Sequence, residues 1–390
     1  MAKPLVIFDL DGTLFQTHEI TVAGVQDALA NLGEPPPTEE DIRAHFGEPM
    51  DEFCHNLLPE SGEAEREKLA ELIGAYERAE IPARGRSFPG IPEALSELRL
   101  MGYTLAVCSN GGEGYIRLVL DSCGIAAFVD RVKGRRAGMT KSGLVGELLR
   151  EEEPSFAVMA GDRHHDIRAA VENNLPCIGA GYGYGGDEVL PADFVVWQPA
   201  ELPGAIAKCA IMQRIEKDLS RLGHDGPFVI GVNGVDTAGK TIFSLDLSAY
   251  LSRRGRKTVL VHLDDFHHRR KIRRQGRDEV DAYINNAFDL QRLVDELLLP
   301  AKTDKNVDKE LDLLDLDTDA FTVKKRYLID RGTLIILEGV LLYREPLDRF
   351  FDYRIFLEIS FAEVLRRAEL RDVPRCGTIR TMRGRGLLKP

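Results

Sequence analysis

Short apolar runs that close on polar or Gly-rich residues, separated by stretches of helical spacing, recur along this chain in two series. Runs of this kind are buried parallel strands joined by crossover helices, so the fold class is α/β, twice over. The first series is LVIF (5–8), TLAVCS (104–109), FAVMAG (156–161), CIGAG (177–181) and FVVW (194–197). The second is FVIGV (228–232), TVLVHL (258–263), TLIILEG (333–339) and YRIFLEI (353–359). Between the first two runs, about 16–87 is rich in Glu and Ala, has helical spacing and shows no convincing strand. It reads as a helical cap inserted into a Rossmann-like parallel core. Helical periodicity over 200–222 is broken by GHDGP, which marks a domain boundary. The expected organisation is a first domain over 1–198, a helical linker over 199–226 and a second α/β domain over 227–390. The charged stretch 302–319 reads as a solvated loop or hairpin.

The 390 residues leave room for two or three domains. The net charge of −12 hides an asymmetry: 1–226 holds 21 Lys+Arg against 37 Asp+Glu, whereas 227–390 holds 30 against 26. The acidic half disfavours nucleic acid, and the mildly basic half suits a polyphosphate. The run His267–Arg274 is basic but has no interleaved aromatics, so small-phosphate binding or plain solvation is favoured over a nucleic-acid patch. No apolar stretch is long enough to span a bilayer and the N-terminus has no signal-peptide layout, so a cytoplasmic protein that binds no membrane is expected. The six cysteines are scattered without CxxC spacing, which suggests neither a zinc site nor a disulfide framework; they are expected to be reduced and mostly buried. Nothing here fixes an oligomeric state.

The first run ends on Asp9-Leu10-Asp11-Gly12-Thr13. Two carboxylates two residues apart at the carboxyl end of a strand reach the crevice where α/β sheets bind ligands. Such a pair can hold one Mg²⁺, or be two solvated acids in a turn. Three further signals follow later strands: Ser109-Asn110, Lys141 at the start of a helix, and Gly161-Asp162 with Asp166. Together these motifs resemble the haloacid dehalogenase superfamily, specifically its helical-cap phosphatases of the phosphoglycolate phosphatase kind, over about 1–198. The resemblance implies a phosphatase acting through an aspartyl-phosphate on a small phosphorylated metabolite. Asp9 would be the nucleophile, Asp11 the general acid and base, and Ser109 and Lys141 the groups that bind the phosphoryl oxygens. Mg²⁺ would be held by Asp9, the Asp11 carbonyl, Asp162 and Asp166. Lys133 competes with Lys141, which is preferred because it opens the crossover helix. Gln16, Thr17, His18, Arg43 and His45 can face the cleft, although a solvated helix face accounts for each; His164 and His165 read as rim residues.

The second series opens on Gly234-x4-Gly239-Lys240-Thr241, a Walker A pattern between a strand and a helix. Glycines let backbone N–H groups wrap phosphates at the helix N-terminus, with Lys240 on the terminal phosphates and Thr241 on Mg²⁺. Asp264-Asp265-Phe266, Gln275-Gly276-Arg277-Asp278, Glu338-Gly339 and Arg366-Arg367 with Arg371-Asp372 follow. This set is similar to the uridine kinase family, over about 227–378. The resemblance implies a P-loop NTPase-type domain that uses ATP to phosphorylate a nucleoside or related alcohol. Asp264 would be the base, with Asp265 close behind, Glu338 a metal ligand, and Arg367, Arg371 and Arg375 the lid arginines. Kinases of this kind continue through a further helix and strand, so a C-terminally incomplete kinase or a nucleotide-sensing module is also expected of this sequence.

Overall fold

A computed structural model describes residues 2–223 and 225–376, without the side chains of 368, 369 and 371–376. The chain forms two compact units, Met1–Arg214 and Ile215–Pro390. The division falls inside the helix Leu202–Leu222, so part of the expected linker belongs to each unit.

In the first unit, β1 (Leu5–Phe8), β2 (Thr104–Cys108), β3 (Arg131–Lys133), β4 (Ala157–Gly161), β5 (Cys177–Ala180) and β6 (Phe194–Val196) form one sheet. Its order is β3-β2-β1-β4-β5-β6, and every pairing is parallel. The chain moves outward on one side of β1 and then outward on the other, so β1 lies at the topological switch point. There the loops leaving β1, β2 and β4 diverge and open a crevice at the carboxyl edge. The strands alternate their buried side chains: Val6, Phe8, Leu105 and Val107 enter one core layer, and Leu5, Ile7, Ala106 and Cys108 the opposite one. A sheet covered on both faces needs such continuous apolar strands, with about 1.5–3 kcal/mol gained for each large side chain buried.

The cap consists of α1 (His18–Leu32), α2 (Glu39–Arg43), α3 (Met50–Leu57) and α4 (Glu63–Arg84). It has its own core, in which Val25, Leu29, Ile42, Phe53, Leu69 and Ile73 meet. The chain leaves the sheet at Phe15 and returns at Ser87, and these two residues pair as an antiparallel bridge. Next, α5 (Ile91–Leu100) and α6 (Glu113–Ser122) flank β2, while α7 (Lys141–Glu152) and α8 (His164–Glu172) flank β4.

In the second unit, β7 (Phe228–Gly234), β8 (Thr258–His262), β11 (Leu334–Gly339) and β12 (Tyr353–Leu357) form a parallel sheet in the order β12-β7-β11-β8. β9 (Val307–Asp315), in the stretch expected as a loop or hairpin, pairs with β10 (Ala320–Ile329), just beyond that stretch, to form a hairpin. It is less solvated than its charge suggested, because Val307, Leu311, Leu313, Tyr327 and Ile329 are buried in the core of this unit. Cys54, Cys108, Cys177 and Cys209 are buried and Cys123 is half-buried. No helix among the described residues is long and apolar enough to cross a membrane.

Candidate active site

The loops after β1, β2 and β4 bring Asp9, Asp11, Ser109 and Asp162 together, and the first turn of α7 adds Lys141. Asp9, Asp162 and Asp166 are all buried, with ligand atoms within 4.8 Å of one another. The Lys141 ammonium is buried among them, hydrogen-bonded to Asp9 and 2.5 Å from Asp166 Oδ1. Lys133 points elsewhere and pairs with Glu151 at 2.6 Å and Glu147 at 3.6 Å. Gly12 makes the close approach possible. Its φ is +82°, and a Cβ there would stand 2.2 Å from Asp162 Oδ2.

The electrostatics follow from the crowding. Burial raises the Asp9 pKa well above the ordinary aspartate value; Lys141 opposes this, and the neighbouring Asp166 and Asp162 add to it. Asp162 is pushed up to about 7 by burial and by Asp166. Burial works against the Lys141 charge, but Asp166 and Asp9 outweigh it and hold its pKa above that of an ordinary lysine. Asp166 Oδ1 is buried against the Lys141 ammonium. Three buried carboxylates with ligand atoms this close together are a hard-oxygen donor set that fits Mg²⁺. The Asp11 side chain is outside this cluster, which leaves its backbone carbonyl as the only Asp11 atom for the expected metal role.

Asp11 instead faces a cleft of about 940 Å³ between the core and the cap. Its Oδ1 accepts hydrogen bonds from Tyr115 Oη at 2.7 Å and Thr17 Oγ1 at 2.8 Å, while Ser109 Oγ lies 3.5 Å from Oδ2. Burial raises the Asp11 pKa, and these hydrogen bonds moderate the shift. Glu77 on α4 also lines the cleft, is 6% exposed, and accepts a hydrogen bond from Thr21 Oγ1 at 2.6 Å. Burial pushes its carboxyl up to about 7. The cap is latched over the core by Asn110 Nδ2 donating to the Gly47 carbonyl at 2.8 Å, by Arg163 donating to the Phe46 carbonyl, and by the Arg135–Asp51 pair.

Tyr115, Glu77 and Thr21 were not singled out from sequence, because isolated hydroxyls and acids on amphipathic helices carry no motif. Of the cap candidates, Thr17 and His45 line the cleft. Gln16 bonds the Ser87 carbonyl, His18 bonds Tyr184 Oη at 2.8 Å, and Arg43 lies over the Tyr184 ring. His164 is exposed at the rim, paired with Glu188 at 2.7 Å.

In the second unit, the turn after β7 uses left-handed backbone at Thr237 (φ 63°) and Gly239 (φ 89°) and delivers Lys240 and Thr241 to the first turn of the helix Lys240–Arg253. Lys240 Nζ donates to the Val235 carbonyl at 2.9 Å. Thr241 Oγ1 donates to Glu338 Oε1 at 3.1 Å, and His262 Nδ1 lies 2.8 Å from the same oxygen. Asp265 is tied to Lys325 at 2.9 Å, whereas burial and the nearby Glu338 and Asp236 raise the Asp264 pKa against the pull of His267 and Lys240. Arg367 reaches the same turn, its guanidinium 3.3 Å from the Thr237 carbonyl. The side chains of Arg371 and Arg375, and all of 378–390, lie outside the described residues.

Residues 6–180 match the haloacid dehalogenase-like hydrolase family. A phosphoglycolate phosphatase from Agrobacterium fabrum is 30% identical over 224 residues, which cover 53% of this chain and 96% of that protein. The chain belongs to the haloacid dehalogenase-like hydrolases. The tyrosine-protein kinase PtkA of Mycobacterium tuberculosis is 35% identical over 202 residues, 49% of this chain; the match spans about 65% of PtkA. The crystal structure of a predicted phosphoglycolate phosphatase from Haemophilus somnus 129PT shares the fold, with a TM-score of 0.50 at 21% identity, covering 53% of this chain and 99% of that one.

Proposed function

We propose that the first unit, taken as a phosphatase domain over 1–198, is a Mg²⁺-dependent phosphomonoester hydrolase. The observation that carries this reading is the separation of two acids two residues apart. Asp9 goes into the carboxylate cluster, and Asp11 goes into the cleft under Tyr115 and Thr17. Different surroundings suit paired carboxyls to different tasks. An Asp9 oxygen attacks phosphorus, and the ester oxygen leaves as the alcohol with the proton that Asp11 gives it. Asp11 then takes a proton from water, whose oxygen attacks the same phosphorus and releases Asp9 and inorganic phosphate. Lys141 and Ser109 hold phosphoryl oxygens, and Lys141 also orients Asp9. Mg²⁺ held by Asp9, Asp162, Asp166 and the Asp11 carbonyl supplies charge neutralisation between phosphate and nucleophile. The expected result is p-nitrophenyl phosphate hydrolysis that disappears with EDTA and returns with Mg²⁺; hydrolysis indifferent to chelation would refute the metal role.

For the second unit the reading is a P-loop, uridine kinase-like domain over 227–390, supported by the strand–turn–helix that carries Lys240 and Thr241 and by the bond from Thr241 to Glu338 on the neighbouring β11. ATP is its ligand, Lys240 and Arg367 bind phosphates, and Thr241 with Glu338 holds Mg²⁺. Asp264 is the base for a nucleoside-type acceptor hydroxyl, with Asp265 held back by Lys325. Lys240→Ala is expected to weaken ATP binding by about 100-fold in titration calorimetry, the scale of losing a charge-assisted phosphate contact in a partly buried site. Equal affinity in both proteins would end the nucleotide reading. Binding without acceptor-dependent ADP formation would assign this unit to nucleotide sensing.

A further inference from the structure

The cleft carries a buried carboxyl, Glu77, that phosphate hydrolysis does not require. Thr17 and Thr21 are one helical turn apart on the same face, joined by the Thr21 N–H to Thr17 carbonyl bond at 2.9 Å. Thr17 donates to Asp11 and Thr21 donates to Glu77. The hydroxyls that hold the two carboxyls are thus one turn apart, about 6 Å along the helix axis by its rise, and both carboxyls line the same cleft. Thr21 satisfies Glu77 Oε1, and no hydrogen bond among the described residues is made to Oε2. A carboxyl so deeply buried is costly without a further partner, and the cleft is where that partner can sit.

The other charges do not duplicate this role. Arg135 is paired with Asp51 and Arg136 with Glu147, so both cleft-lining arginines of that loop are already engaged. The rest of the wall carries apolar Phe46, Phe53 and Leu118, the His45–Glu48 pair, and Arg78, which follows Glu77 on α4. The space is far larger than a two-carbon acid fills.

Building on the phosphatase reading above, we propose that Glu77 is a specificity-determining residue that selects the alcohol portion of the substrate. Its carboxyl accepts a hydrogen bond from a hydroxyl or ammonium group a few bonds beyond the ester oxygen. The favoured substrates are phosphate monoesters of polyols or amino alcohols, and those of hydroxy acids are disfavoured. A substrate carboxylate in the same place would face a like charge or would have to hold Glu77 protonated.

The test compares kcat/KM, each divided by the value for phenyl phosphate, which has no donor group. The probes are glycerol 1-phosphate for the hydroxyl, phosphoethanolamine for the ammonium and phosphoglycolate for the carboxylate, used with the full chain and Mg²⁺. At least one donor probe is expected to exceed phosphoglycolate by about tenfold or more, and Glu77→Leu is expected to erase that advantage mainly through KM. Glu77→Gln keeps an acceptor of the same shape and is expected to retain the hydroxyl preference while losing the ammonium preference. A preference for phosphoglycolate in the unaltered chain would overturn the proposal. So would relative values unchanged in both variants, with melting curves showing that they are folded. If the unaltered chain hydrolyses no phenyl phosphate, the phosphatase reading itself falls and takes this proposal with it.

Discussion

Asp9→Asn is expected to reduce phosphate release by roughly 10⁴-fold or more while leaving the protein at least as heat-stable as before. The loss follows from covalent catalysis, since an amide cannot form the acyl-phosphate link and the two-step route closes. The stability follows from the site's electrostatics. Burial and the neighbouring acids raise the Asp9 pKa above its unfolded value. A raised carboxyl pKa means that stability declines as pH rises from the unfolded pKa through the folded one, so at neutral pH this carboxylate opposes folding. Asparagine removes the charge and still offers Lys141 an acceptor oxygen. Measuring turnover and the unfolding midpoint on the same preparation checks both halves. A variant that is inactive because it melts early would contradict the reading, as would one that still turns over.

Lys141→Met should have the opposite signature, losing both activity and stability. The ammonium neutralises part of a cluster of three buried carboxylates, and removing one partner of such an arrangement costs about 3–5 kcal/mol. Activity should fall by about 10²–10³-fold as the contact to the phosphoryl oxygens is lost. Because a dication can take over part of the missing positive charge, millimolar Mg²⁺ should raise the melting temperature of this variant more than that of the parent chain. Lys133→Met, which removes pairs to Glu151 and Glu147 on a partly exposed surface, should cost less than about 1 kcal/mol and leave turnover within about twofold. Equal damage from both substitutions would return the phosphate-binding role to Lys133.

The parts of the site that could be read from the sequence are those set by backbone position. Asp9, Ser109 and Asp162 each follow an apolar strand directly, and parallel strands β2, β1 and β4 lie side by side, so residues at their carboxyl ends must converge. Lys141 could be singled out because it opens the helix between two such strands. The cleft was not legible in the same way. Tyr115 meets Asp11 only through the packing of core helix α6, and Glu77 on α4 and Thr21 on α1 reach the cleft only through the docking of the cap. β3 escaped notice because Arg131–Lys133 is a three-residue polar edge strand, too short for alternation to register. Adjacent Asp264 and Asp265 read as near equivalents until the hairpin's Lys325 claimed one of them.

The bridge between Phe15 and Ser87 has a consequence for how such a chain can be remodelled. The whole cap is an excursion whose two ends already touch, and it has a separate apolar centre. A different helical lid could be spliced between these two points without altering the strand order, the carboxylate cluster or the lysine. On the reading proposed above, Glu77 lies in the exchangeable stretch and Asp9 and Lys141 outside it, so a library of exchanged lids is expected to vary selectivity over constant chemistry.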